Sequence, residues 1–127
     1  MKHAKLLIVF RWFLIVAYIC FILTKTIIGR PVQPAPVFKP LFWEIQNEYW
    51  EDIVLNILLF IPIGFLIGGW KGLLTGFILS VAIEATQYII CLGYCEMDDI
   101  LNNVIGTGIG VIVKLYFKCY IEGRKRK

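Results

Sequence analysis

Four stretches of this chain run apolar with almost no charge: 6–23, 53–69, 72–92 and 100–121. Each is near the ~20 residues a helix needs to cross ~30 Å of hydrocarbon at ~1.5 Å per residue. The pattern therefore predicts four transmembrane helices. The second is shortest and needs its flanks at the interface. Two connections are short. Gly68-Gly69-Trp70-Lys71-Gly72 predicts a tight turn, and Gly93 to Asp98 another, so helices two, three and four are antiparallel neighbours. The expected fold is all-α: a polytopic membrane protein, one compact bundle of four transmembrane helices forming a single domain over 1–127.

The connection 24–52 reads differently. Pro31, Pro34, Pro36 and Pro40 oppose helix and favour extended chain. Beyond them Leu41, Phe42, Trp43, Ile45, Tyr49 and Trp50 alternate with Glu44, Gln46, Asn47 and Glu48. This predicts a short helix or turn over 41–50 lying in the interface, where Trp and Tyr sit well. It anchors the second span or forms a lid.

Composition agrees with the membrane reading. Of 127 residues 59% are hydrophobic, and the mean hydropathy is +0.76. The first span follows Lys2 and Lys5, as a signal peptide would. No small-residue cleavage site follows it, and Arg11, Lys25 and Arg30 do not suit one, so an uncleaved helix is expected. Charge then orients the bundle. With the N-terminus inside, Lys2, Lys5, Arg11, Lys71, Lys114, Lys118 and the tail Arg124–Lys127 fall on the cytoplasmic side, ten residues in all. Lys25, Arg30 and Lys39 fall outside. The positive-inside rule predicts both termini in the cytoplasm. The net charge of +4 is thus a topology signal, and a nucleic-acid partner is not expected.

The polar residues inside apolar spans carry the candidate chemistry. Asp52 and Asn56 are four apart and share a helix face, as do Asp99 and Asn103; Glu84 and Gln87 are three apart. Glu84 lies ~12 Å below the end of its span by helical rise. A carboxylate facing hydrocarbon is costly, so all six are expected to turn toward one pocket near the outer surface. Asp52 and Asp99 also suit helix N-termini, and the asparagines suit interhelical hydrogen bonding. Glu84 has no such structural alternative in the sequence. Gly106 with Gly110, and Gly64 with Gly68, read as packing faces, and Pro62 as a kink.

The four cysteines divide similarly. Cys20 and Cys119 read as apolar fillers, while Cys91 and Cys95 flank the third span and suit a disulfide on an oxidising face. No metal or other cofactor is expected, because the only His is His3. An internal echo is also visible. Glu51-Asp52-Ile53-Val54-Leu55-Asn56 resembles Asp98-Asp99-Ile100-Leu101-Asn102-Asn103, which predicts two hairpins related by an axis along the membrane normal.

The run Asp52-x-x-x-Asn56-x-x-x-Phe60-x-Pro62-x-Gly64 resembles the first signature of the VanZ-like family. Glu84-x-x-Gln87 and Cys95-Glu96-Met97-Asp98-Asp99-Ile100-Leu101-Asn102-Asn103-Val104-Ile105-Gly106 resemble its second and third. The resemblance implies a small bacterial envelope protein, in a family named for a member linked to teicoplanin resistance. It also implies an Arg in the loop before the acidic cluster, where this chain has Leu92, Gly93 and Tyr94.

Three functions are compatible with these residues. One is an envelope protein that lowers sensitivity to teicoplanin-type glycopeptides, with membrane lipids, a cell-wall precursor or the glycopeptide as partner. The second is a membrane enzyme acting on a lipid-linked head group, with Glu84 as acid or base. The third is a small proton- or cation-coupled carrier. The enzyme reading lacks a nucleophile other than Cys91 near the surface, so the first is expected.

Overall fold

The computed structural model describes residues 2–28 and 30–125, with side chains over 5–28 and 30–124. Arg126 and Lys127 of the basic tail, and the side chains of Lys2, His3 and Lys125, lie outside the described residues. Four long helices are present: α1 (Lys2–Thr26), α3 (Trp50–Ile67), α4 (Gly69–Ile89) and α5 (Met97–Lys125). All four are long and apolar enough to cross a membrane. Between α1 and α3 lie a two-residue strand β1 (Phe38–Lys39) and a one-turn helix α2 (Trp43–Gln46); strand β2 (Cys95–Glu96) leads into α5.

The helix ends differ from the apolar runs in a consistent way. All four helices begin three or four residues earlier than the apolar runs; in α3 and α5 the added first turn holds Glu51, Asp52, Asp98 and Asp99, acids that suit a helix start. α4 stops at Ile89, and its last apolar residues, Ile90 to Leu92, belong to the turn that follows. The expected helix over 41–50 contracts to α2, and the proline stretch supplies β1.

Helices α3 and α5 run in the same direction and touch along their backbones. A side chain on Gly106 would meet the Ile57 carbonyl, one on Gly110 the Ile61 carbonyl, and one on Gly64 the Thr107 carbonyl. Small residues at these points are what allow so close an approach. α4 packs antiparallel to α5, with Gly76 against the Thr107 side chain and Ser80 accepting a 2.9 Å hydrogen bond from Asn103. Gly68 departs from expectation. It is the whole α3–α4 turn, at φ +75°, a conformation glycine adopts without strain. Lys114 reaches over to this turn and donates to the Leu66 and Ile67 carbonyls at 2.8 and 3.0 Å, satisfying the open end of α3.

α1 is apolar all round, so its sequence does not reveal which side packs. Its contact stripe is Tyr18, Ile19, Ile22 and Leu23, which meets Phe60, Ile63 and Ile83 in the buried core, and Ile15 is buried one turn before it. The Tyr18 hydroxyl donates to the Leu59 carbonyl at 2.9 Å, near Pro62. The remaining apolar surface of all four helices is exposed and would face lipid.

Candidate functional site

Polar groups gather at the end of the bundle where α3 and α5 begin. Asp52 and Asp99 lie in the first turns of these helices, where the helix dipole favours an anion. The Asn56 amide, one turn further along α3, donates to the Asp99 carboxylate. The two copies of the internal echo therefore meet in one hydrogen bond.

The 30–49 segment is laid over this end and tied down residue by residue. Gln33 N–H donates to the Cys91 carbonyl at 2.7 Å, and Gly93 N–H to the Pro31 carbonyl at 2.9 Å. β1 then pairs with β2 in parallel, Phe38 beside Cys95 and Lys39 beside Glu96. The Lys39 ammonium lies 2.8 Å from the Glu96 carboxylate, 3.8 Å from the Trp43 ring centre and 4.1 Å from that of Tyr94. A cation held between two aromatic faces and a carboxylate, partly shielded from water, is a firm anchor. Asp98 caps α2 from below: one oxygen accepts from Phe42 N–H, the other from Glu44 N–H at 2.8 Å. That cap holds Phe42 at φ 67°, an uncommon conformation for a residue with a side chain.

The effect of this lacing is to bury Glu44, which is 1% exposed, and to set its carboxylate to accept from Asn102 at 2.9 Å. Oxygens of Glu44, Glu96 and Asp99 lie within 4.8 Å of one another. Burial, and then the charges of Asp99 and Glu96, push the Glu44 carboxyl up to about 8. Such a spacing is relieved by a shared proton or by a hard cation, which takes oxygen ligands without any His. The absence of a nearby His therefore does not speak against a cation at these three carboxylates.

A cavity of about 540 Å³ opens beside this cluster. Its walls carry both signs of charge: Glu44, Asp52, Glu96 and Asp99 among the acids, Lys25 and Arg30 among the bases. Phe21, Leu55 and Leu59 add an apolar side. Of the six residues singled out in the sequence, Asp52, Asn56 and Asp99 line it. The other three are buried but do not. Glu84 accepts from Glu96 N–H at 2.7 Å, and Gln87 donates to the Thr26 carbonyl at 2.9 Å, so each stands one hydrogen bond behind a lining residue. Asn103 donates to Ser80 in the core. Glu84 thus has a structural task that its sequence context does not show: it holds β2.

Lys25, Thr26, Arg30, Glu44 and Glu96 are the polar lining residues that sequence reasoning missed. Arg30 deserves its place because its side chain runs across Gly93, where an added Cβ would come within 3.1 Å of it. The stretch in which the motif resemblance implies an Arg is therefore reached by an Arg from another part of the chain. Cys91 and Cys95 are free thiols, not a disulfide. The Cys95 thiol is raised by burial and by the neighbouring acids, which leaves it a weak nucleophile.

Four apolar helices, with a mixed-charge cavity where two of them begin, define a multi-pass membrane protein with a polar site at one end of its bundle. Residues 8–118 match the family model VanZ/LLP1, and the chain belongs to the VanZ family. It is 32% identical over 73 residues to Protein VanZ of Enterococcus faecium, a match covering 52% of this chain and 44% of that protein. The aligned segment is thus less than half the length of that relative. No solved structure matches.

Proposed function

We propose that this protein works at the outer face of a bacterial cell membrane, with both termini in the cytoplasm, and lowers sensitivity to teicoplanin-type glycopeptides through the cavity. The observation that carries the reading is the cavity itself: four carboxylates and two cations share one opening of about 540 Å³. Such a volume lies in the range of small-molecule sites, and convergent polar groups are the usual mark of one. Family membership supports the link to glycopeptides. The basic residues support the orientation, since the cavity end carries Lys25, Arg30 and Lys39, while Lys5, Lys71, Lys114, Lys118 and Arg124 lie toward the opposite end.

Expression in a glycopeptide-sensitive Gram-positive host should raise the inhibitory concentration of teicoplanin. Asp99→Asn should abolish the gain at equal membrane abundance, because it removes the charge and keeps the shape. Glu84→Gln should weaken it by loosening β2. Full protection by Asp99→Asn would remove the cavity from the function. The absence of any protection by the wild type would end the glycopeptide reading.

A further inference from the structure

We propose that the cavity binds the head group of an ammonium-bearing phospholipid, its phosphate toward Lys25 and Arg30 and its ammonium toward Asp52 and Asp99. The assignment rests on reading the cavity as the protein's working site, and it names the partner.

The charges argue for a zwitterion. Among the described residues the ion pairs are Lys39–Glu96 and Lys118–Glu122, so neither Lys25 nor Arg30 is paired with an acid although both share a cavity with four. A purely anionic ligand would satisfy these two cations and bring its charge beside the carboxylates. A purely cationic one would do the reverse. A phosphate diester joined to an ammonium by a short linker pairs with both walls at once, and charge-assisted hydrogen bonds of this kind are the strong ones. Arg30 supplies the planar fork that suits a phosphate.

The apolar wall argues for a lipid. Phe21 sits on α1, and Leu55 and Leu59 on α3, all within helices that would lie against hydrocarbon. Leu55 also lines a neighbouring groove with Trp50 and Val54, so apolar surface continues from the cavity along α3. An acyl chain leaving the head group has a track there. A free phosphorylated amine has no use for it.

The class of ammonium follows from the acceptors. Carboxylate oxygens accept N–H donors, which a primary ammonium has and a quaternary one lacks. Phosphatidylethanolamine is the simplest lipid of this class.

The test uses the full chain, purified in detergent and stripped of lipid, with binding of phosphatidylethanolamine, phosphatidylcholine and phosphatidylglycerol read by native mass spectrometry. Phosphatidylethanolamine should bind at least ~10-fold more tightly than either other lipid, the scale of one charge-assisted hydrogen bond. Arg30→Gln, Lys25→Gln and Asp99→Asn should each erode that preference on the order of tenfold, with thermal melting in the same detergent showing each variant folded. Equal binding of the three lipids would overturn the proposal. So would an unchanged preference in folded Arg30→Gln, displacement by soluble phosphoethanolamine at the lipid's own affinity, or displacement by a lipid-linked cell-wall precursor at lower concentration. A retained lipid preference without any teicoplanin phenotype would keep this assignment and reject the glycopeptide reading. Lost protection in Asp99→Asn without lipid selectivity would do the opposite.

Discussion

The two ends of the α3–α5 pair are held together by opposite means. From Ile57 onward to the Gly68 turn, the helices meet backbone to backbone, through Gly106, Gly110 and Gly64. In the first turns the pair is joined by side chains, Asn56 to Asp99, while Asp98 and Asn102 tie α5 to the α2 segment. The first kind of contact tolerates no added atom. The second spans a gap, and the gap is what leaves a cavity. One helix pair thus provides a rigid joint at one end and a binding space at the other.

The contrast is sharpest at the glycines. Gly106→Leu would drive a side chain into the Ile57 carbonyl and should cost ~3 kcal/mol or more, enough to lose the folded bundle. Gly108, two residues on, meets only Leu73 at 3.8 Å, and Gly108→Ala should be neutral or stabilise by up to ~1 kcal/mol through helix propensity. Monodisperse yield on size exclusion separates the two. Equal behaviour would mean that the joint is not at the glycines.

At the acidic end the expected effects are smaller and local. Asp98→Ala leaves Phe42 N–H and Glu44 N–H without their acceptor, at ~1–3 kcal/mol. Hydrogen exchange should quicken over residues 38–49 and remain unchanged in α3 to α5. Exchange spreading into the long helices would show that the two ends are one cooperative unit.

A pH dependence is also expected at this end. Glu44 holds its proton up to about 8 in the folded protein, against 4.5 ordinarily. Between these values the folded state binds more protons than the unfolded one, so stability rises as pH falls through about 8 and levels off near 4.5. Thermal melting on either side of neutrality should show the slope, and Glu44→Gln should flatten it. An unchanged slope would assign the proton to another acid in the cluster.

These differences also explain what the sequence could convey. The spans were legible because some twenty apolar residues in a row have few other meanings. Asp52, Asn56 and Asp99 were legible because a polar residue four positions from another on an apolar helix must turn inward with it. Glu44 and Arg30 were not. They come from a segment whose only regular pairing is two residues long, with a partner 57 positions away in Lys39–Glu96. A strand that short has no period to detect. Glu44 reads as one more polar residue in an aromatic interfacial stretch until α2 is in place. Glu84 and Gln87 share a face, as their spacing implies, but their bonds to Glu96 N–H and the Thr26 carbonyl depend on neighbours that no local pattern specifies.

The Asp98 cap has a consequence for how the molecule is made. Ribosomes deliver a chain from its N-terminus, so α1, the 30–49 segment, α3 and α4 all emerge before α5 exists. Until then Phe42 and Glu44 have no carboxylate to bind, Asn56 has no Asp99, and Glu84 has no Glu96 amide. α5 thus fastens a segment made well before it, and a nascent chain halted before residue 95 carries α1, α3 and α4 with their polar end still open.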